Sequence, residues 1–306
     1  VVKVVVTGGA GYVGVPLCRA LLERGDDVIC VDNFMFGYDP ILDLVSFPNF
    51  SVVKQDIRHT DYSYLKGADA VIHLAGISGY PACEANPHSA KLINVNATAS
   101  LAQAMSPDQL FIFASTTSFY GSSGQLSKED SVINPVSLYG VTKQEGEAIV
   151  MDRANSISLR WATVFGVSPR MRAGLLVNDF AEKAVQERTI VLYDSDSMRT
   201  FMHLSDVVLG YLFAIDNAGK MAGEIVNMGS SQLNYSKRDI ALKIKERQPC
   251  EIMEAAIGDT DIRNFLVCFE KAESLGYQCT RTVEQGIDEL LKLYRFYAPN
   301  SFIKPI

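Results

Sequence analysis

The stretch Thr7-Gly8-Gly9-Ala10-Gly11-Tyr12-Val13-Gly14 constrains the fold of this chain more than any other. It follows the apolar run Val2–Val6 and precedes a helical pattern over Tyr12–Glu23. Glycines at 8, 11 and 14 match G-x-x-G-x-x-G at a strand-to-helix junction. One glycine makes the tight turn, one lets a pyrophosphate approach the backbone, and one lets helix and strand pack closely. The helix start then offers N–H donors and positive dipole character to an anion. The expected ligand is a dinucleotide, with Gly8, Gly11, Tyr12, Val13 and Gly14 around it.

The rest of the first half keeps this rhythm. Short apolar runs at Val28–Val31, Ser51–Val53, Ala70–Leu74, Leu110–Ala114 and Ile157–Leu159 read as strands buried on both faces. Helical spacing over Pro87–Met105 and Ser137–Met151 separates some of them. Strand and helix in alternation imply right-handed crossovers and a doubly wound parallel α/β sheet of Rossmann type. The segment Phe34–Asn49, with Gly37, Pro40 and Pro48, reads as loop with a short helix. Beyond Gly166 the pattern changes. Helices are expected over Leu175–Arg188, Ser205–Ile215 with Ser205 as N-cap, Ser236–Glu246 and Val283–Tyr294, and strands at Ile190–Tyr193 and Glu224–Asn227. Residues 1–166 are expected to hold the dinucleotide, with 200–230 returning to that layer, and 167–306 to form a smaller mixed α/β substrate-binding region.

Asp32 ends the second strand, where a carboxylate accepts hydrogen bonds from ribose hydroxyls and repels a 2′-phosphate; NAD is therefore expected over NADP. Asn33 adjoins it. Asp56 and Ile57 end the third strand, where Asp56 can accept from the adenine amino group; Arg58 nearby is a feature that would suit NADP.

Tyr139-Gly140-Val141-Thr142-Lys143 places a phenol and an ammonium one helical turn apart. A tyrosine titrates near 10, so it needs help to act as a base at neutral pH. A neighbouring cation favours the phenolate. Tyr139 is thus expected to take a proton from a substrate alcohol while hydride leaves the carbon. Ser115-Thr116-Thr117 follows the fifth strand, at the edge of a parallel sheet that meets ligands.

Composition sets the outer limits. Among 306 residues, 28 Lys and Arg face 35 Asp and Glu, a net charge of −7. That balance disfavours a nonspecific nucleic-acid surface. No apolar stretch reaches the roughly 18–20 residues that span a bilayer, and Val1–Val6 runs straight into the glycine turn as a strand does, not a leader peptide. Six cysteines without a C-x-x-C pair read as buried thiols of a reducing, cytoplasmic compartment. Four histidines show no ligand spacing, and no metal is expected.

Together these motifs resemble the extended short-chain dehydrogenase/reductase family of NAD-dependent nucleotide-sugar epimerases and dehydratases. The resemblance runs over nearly the whole chain. His73-Leu74-Ala75-Gly76 resembles the family's H-L-A-A segment beneath the cofactor. Asn94-Val95-Asn96-Ala97-Thr98 resembles N-V-x-G-T, with Ala97 for glycine. Ser115-Thr116-Thr117-Ser118-Phe119-Tyr120-Gly121 resembles S-S-x-x-V-Y-G. Leu159-Arg160-Trp161-Ala162-Thr163-Val164-Phe165-Gly166 resembles L-R-x-x-x-V-Y-G, and Arg199–Asp206 resembles R-x-F-x-H-V-x-D. The resemblance implies a catalytic set of Thr116, Tyr139 and Lys143. It adds Leu74, Ala75, Gly76, Asn94, Tyr139 and Lys143 to the cofactor site. It assigns Ser78, Thr116, Thr117, Ser118, Tyr139, Asn178, Arg199 and Arg263 to a nucleotide-diphosphate sugar.

Departures from the pattern narrow the reaction. The family's 4,6-dehydratases carry Asp-Glu after the catalytic Thr, and its decarboxylases carry Glu at the second of those positions; here the pair is Thr117-Ser118. The expectation is a C4 epimerase working through a transient 4-keto sugar. A net C4 dehydrogenase or 4-keto reductase shares every motif, and a noncatalytic NAD sensor remains on the same fold. The family commonly dimerises through two helices, which implies a homodimer through Pro87–Met105 and Ser137–Met151.

Overall fold

A computed structural model of the chain describes residues 1–122, 125–256 and 263–298. Its centre is a seven-stranded sheet built from Lys3–Thr7, Asp27–Asp32, Phe50–Lys54, Ala70–His73, Leu110–Thr116, Ser156–Trp161 and Glu224–Met228. All neighbours run parallel, in the order third, second, first, fourth, fifth, sixth, seventh. Side chains alternate between two cores, as the strand period requires. Val4, Val6, Ile72 and Ile112 pack on one face with Leu17, Leu21 and Tyr211, while Val5, Val71, Phe111 and Phe113 pack on the other with Leu101 and Val150. The third strand departs from expectation. It is one of the two edges of the sheet, and Ser51 and Val52 are exposed, so it is not buried on both faces.

The register aligns the carboxyl ends along one edge. Thr7 stands opposite His73, and Thr116 opposite Trp161. Thr7 Oγ1 and His73 Nδ1 are hydrogen-bonded at 2.6 Å, and His73 Nε2 meets Thr98 Oγ1 at 2.9 Å. Burial drops the His73 pKa to about 3, so the imidazole is a neutral tie between layers.

The segment expected as one helix from Pro87 to Met105 has a π-helical turn, Leu92–Ala97, between α-helices Pro87–Lys91 and Thr98–Ala104. Such turns recur at functional sites, and this one carries Asn94. The short helix expected within Phe34–Asn49 is a 3-10 helix, Asp39–Ser46.

After Trp161 the chain leaves the main sheet through Thr163–Phe165, which pairs with Met198–His203, itself paired with Asn234–Ser236. The last two strands had escaped the sequence pattern because their inward faces mix Thr, Arg and Asn with apolar residues. Helices Leu176–Gln186, Lys237–Lys245 and Val283–Tyr294 enclose a separate core of Phe165, Phe180, Leu192, Ile240 and Leu290. Capping boxes at Ser236/Asp239 and Thr282/Gln285 start the last two helices. Helix Leu204–Asp216 carries Val207, Tyr211 and Ala214 back into the main core, and Glu224–Met228 closes the sheet. Its N-cap is His203, whose Nδ1 accepts from Ser205 N, not Ser205 as expected: the preceding strand continues through His203, so the turn starts earlier. Among the described residues no helix is long and apolar enough to cross a membrane.

Candidate active site

The glycine turn is built as its spacing requires. Gly8 has φ +71°, and a Cβ there would lie 2.7 Å from Ala75 N. A Cβ on Gly14 would lie 2.2 Å from Gly8 O, because the helix starts directly against the turn. Gly11 is different: its Cβ would meet only Gly8 O, at 3.0 Å, and otherwise open space. That open face, beside a helix beginning at Gly14, is the cradle a pyrophosphate needs. Tyr12 and Val13 lie in the turn, before the helix expected to include them.

Asp32 Oδ2 accepts from Ala10 N at 3.1 Å and Oδ1 from Phe34 N at 2.8 Å, which fixes the carboxylate beside the turn with lone pairs to spare. Asn33 is exposed and accepts from Met35 N. Asp56 receives Arg58 in a two-pronged pair, Nε to Oδ1 and NH2 to Oδ2, both 2.8 Å, and this holds its carboxyl well below the usual range. Arg58 is therefore committed to Asp56. Ile57 is buried beside them. Ala75 N donates to Thr7 Oγ1, and a Cβ on Gly76 would press on Asn94 Oδ1 at 2.9 Å. Asn94 accepts from Ile77 N at 2.8 Å and donates to Ile77 O and Thr142 Oγ1, so its amide shapes the loop after the fourth strand. The residues present fit an NAD molecule: an open glycine cradle, a fixed ribose-side carboxylate, and no spare cation at Arg58.

Tyr139 and Lys143 lie on helix Leu138–Met151, which Ser137 caps by accepting from Gly140 N. Ser78, in the loop after the fourth strand, and Thr116, at the end of the fifth, lie beside the Tyr139 phenol. Burial raises the Tyr139 pKa; Ser78, the Arg172 guanidinium and Thr116 oppose it. Lys143 lies one turn on in the same helix, and Arg172 adds a second cation that opposes the rise. Lys143 Nζ lies 4.2 Å over the Phe113 ring, and its pKa falls to about 8, chiefly through burial, with Glu147 acting the other way.

The expected substrate residues are not all turned to one place. Thr116 Oγ1 accepts from Ser118 N. Thr117 donates to Trp161 O at 3.1 Å and is buried. Ser118 Oγ receives Arg263 NH1 at 2.6 Å, which brings the chain's two ends of the proposed sugar site together. Of the segment Asp261–Phe265, Asp261 and Ile262 lie outside the described residues. Arg199 is buried, donates to Met198 O and stacks 5.6 Å from the Phe265 ring. Asn178 is fully buried and bonded to Gly166 and Arg172. Sequence reasoning missed Arg172 and Glu147. Glu147 continues the Tyr139–Lys143 spacing by one more turn, a signal that could have found it; Arg172 has no such local signal.

The sequence model of the NAD dependent epimerase/dehydratase family matches residues 4–229. The chain belongs to that family. Among curated members, the uncharacterized UDP-glucose epimerase YtcB of Bacillus subtilis (strain 168) is 32% identical over 249 residues, 75% of this chain and 77% of that one. UDP-glucuronate 4-epimerase 4 of Arabidopsis thaliana is 27% identical over 337 residues, 97% of this chain and 76% of that one. The crystal structure of UDP-glucuronic acid 4-epimerase from Bacillus cereus, in complex with UDP-glucuronic acid and NAD, superposes with a TM-score of 0.83 at 25% identity, covering 96% of this chain and 99% of that one. This epimerase/dehydratase family member thus shares the fold of that neighbour.

Proposed function

We propose that this protein is an NAD-dependent nucleotide-sugar 4-epimerase acting on a UDP-sugar. The reading is carried by Thr116 and Ser78 lying beside the Tyr139 phenol, with Lys143 one turn on and no carboxyl group at 117 or 118. Tyr139 accepts the proton of the C4 hydroxyl, and Thr116 holds the C4 oxygen. NAD, when bound, supplies the reversible hydride acceptor. The 4-keto sugar turns in the site, and Tyr139 returns the proton to the C4 oxygen of the opposite configuration. Thr117 and Ser118 hold no carboxyl group that shuttles protons at C5 or C6, which disfavours dehydration and decarboxylation. Gly8, Gly11, Gly14, Asp32 and Asp56 frame the NAD site, within 1–166 and the returning 200–230. Arg199 and Arg263, from 167–306, face the diphosphate, for which a guanidinium fork is suited. Arg172 puts a cation at the sugar end, and this favours a uronate over a neutral hexose, in keeping with the named activity of two of the relatives above.

The chain is further proposed to dimerise through helices Thr98–Ala104 and Leu138–Met151, whose outer faces leave Ala99, Val141 and Ala148 partly or fully exposed. Light scattering that gives a monomer mass refutes this part.

Incubation with UDP-glucuronate and UDP-glucose, read by NMR of the sugar products, tests the main proposal. A C4 epimer without net NADH accumulation is expected, and Tyr139→Phe abolishes it. Steady NADH accumulation, or a 4-keto-6-deoxy product, refutes the epimerase reading.

A further inference from the structure

Between the strand Thr163–Phe165 and the helix Leu176–Gln186 the chain makes an excursion over the sheet edge. Its outgoing limb lies on the glycine turn: Tyr12 OH donates to Gly166 O, and Ser168 Oγ donates to Tyr12 O, both at 2.7 Å. Its tip reaches the loop after the second strand, where the Arg170 guanidinium lies 4.2 Å over the Phe36 ring. Its return limb meets the loop after the fourth strand, where Arg172 donates to Ser78 O at 2.6 Å and Ser78 Oγ at 3.1 Å. Asn178 ties the two feet together: Gly166 N donates to Oδ1 and Nδ2 donates to Arg172 O, each at 3.0 Å. The loops touched are those that follow the first, second and fourth strands, three neighbours in the sheet. They are also the loops that carry the glycine turn, Asp32 and Leu74–Gly76. A segment fastened to all three lies across the cofactor cleft. Arg170 adds an independent observation: its Nε is buried and has no hydrogen-bond partner, an orphaned donor of the kind a ligand satisfies.

We propose that residues 166–172 form a strap that retains NAD on the protein between the two half-reactions, with Arg170 and Phe36 as its latch. The inference rests on the epimerase reading, since such an enzyme must keep the reduced cofactor until the keto sugar has turned. The tip is held by one cation–aromatic contact, whereas both feet are held by several hydrogen bonds. Opening therefore starts at the latch and leaves the feet in place.

The test is cofactor exchange without sugar. Protein loaded with NADH is mixed with excess NAD, and the loss of bound-NADH fluorescence gives the release rate. Phe36→Ala and Arg170→Ala are each expected to speed release about tenfold, through loss of the cation–aromatic contact that fastens the tip. Arg170→Lys, which keeps the cation, recovers part of the retention. With sugar present, the two alanine variants release NADH and keto sugar in a measurable share of turnovers. Release rates within about twofold of wild type in both alanine variants overturn the strap. Faster release in the variants of a wild-type protein that epimerises no sugar upholds the strap and removes the epimerase reading.

Discussion

Arg160→Met should destabilise this protein severely, and the reason can be worked from contacts beneath the active site. Arg160 and Glu147 have side chains 2% and 5% exposed. The carboxylate accepts from Arg160 NH2 at 2.6 Å and Nε at 3.1 Å, and from Ser158 Oγ at 2.7 Å. Arg160 NH1 donates to Tyr120 OH at 2.8 Å and Glu129 O at 2.9 Å, and Tyr120 OH donates to Asn227 Oδ1. Removing the arginine leaves a buried carboxylate with the Ser158 hydroxyl as its remaining hydrogen-bond donor and the Lys143 ammonium one turn away. A buried pair broken on one side costs about 3–5 kcal/mol, because the remaining charge keeps its desolvation penalty without its partner. In a chain of this size that is a fall of roughly 6–20 °C in melting temperature. Glu147→Leu costs a similar amount by stranding Arg160. Arg160→Met with Glu147→Leu removes both charges and should recover most of the loss, except about 1–3 kcal/mol for the Tyr120 and Ser158 hydroxyls left behind. Thermal and urea unfolding of the four proteins gives the coupling energy. Single variants within about 1 kcal/mol of wild type, or additive losses, refute the reasoning.

The same pair separates stability from chemistry. Burial holds Lys143 near pKa about 8, and the Glu147 carboxylate opposes that fall. Glu147→Gln should lower the Lys143 pKa further, so activity declines at a lower pH on the alkaline side, while Arg160→Met leaves that limb nearer to wild type; coincident pH profiles count against a link between Glu147 and Lys143. Lys143 itself titrates lower folded than its ordinary 10.5, so between about pH 8 and 10.5 the unfolded chain binds more protons and the wild type gains stability over Lys143→Met as pH rises; a pH-independent difference in urea midpoints contradicts this. Tyr139→Phe should reduce the turnover number at least about a hundredfold while NAD binding, followed by fluorescence, persists; unchanged turnover removes Tyr139 from the chemistry. Gly14→Ala places a Cβ 2.2 Å from Gly8 O and 2.7 Å from the Gly9 backbone. Calorimetry should show a loss of about 1–3 kcal/mol together with weakened NAD binding; wild-type affinity for NAD would mean that the turn moves freely.

The legible parts of this protein are those whose geometry is local. Gly8, Gly11 and Gly14 announce a turn because backbone clearance there depends on atoms within the same few residues and the adjoining strand. Tyr139 and Lys143 announce a pair because a helix sets four residues to one turn. The parallel sheet follows from alternating apolar runs and helices. The third strand was read as buried because its composition is apolar, yet burial depends on what packs over its faces: Ser51 and Val52 are exposed at one edge, while Val226–Met228 are buried at the other. Ser205 looked like an N-cap by residue type, but the extent of the strand before it decided where the helix begins.

The residues that complete the site come from places far apart in the chain. Arg172 faces Tyr139 only because the excursion after Gly166 folds back onto Ser78, and Asn178 holds that excursion closed. In sequence, Val167–Gly174 has neither strand nor helix spacing, so its two arginines read as surface charge. Sequence alone therefore determined the dinucleotide fold and the placing of Tyr139 and Lys143 on one helix face, since steric and helical rules act over a few residues. Only the tertiary structure decided that Arg172 comes near the phenol, that Asn178 ties Gly166 to Arg172, and that the third strand is an edge. Those outcomes depend on where distant segments land, and burial and charge act through space.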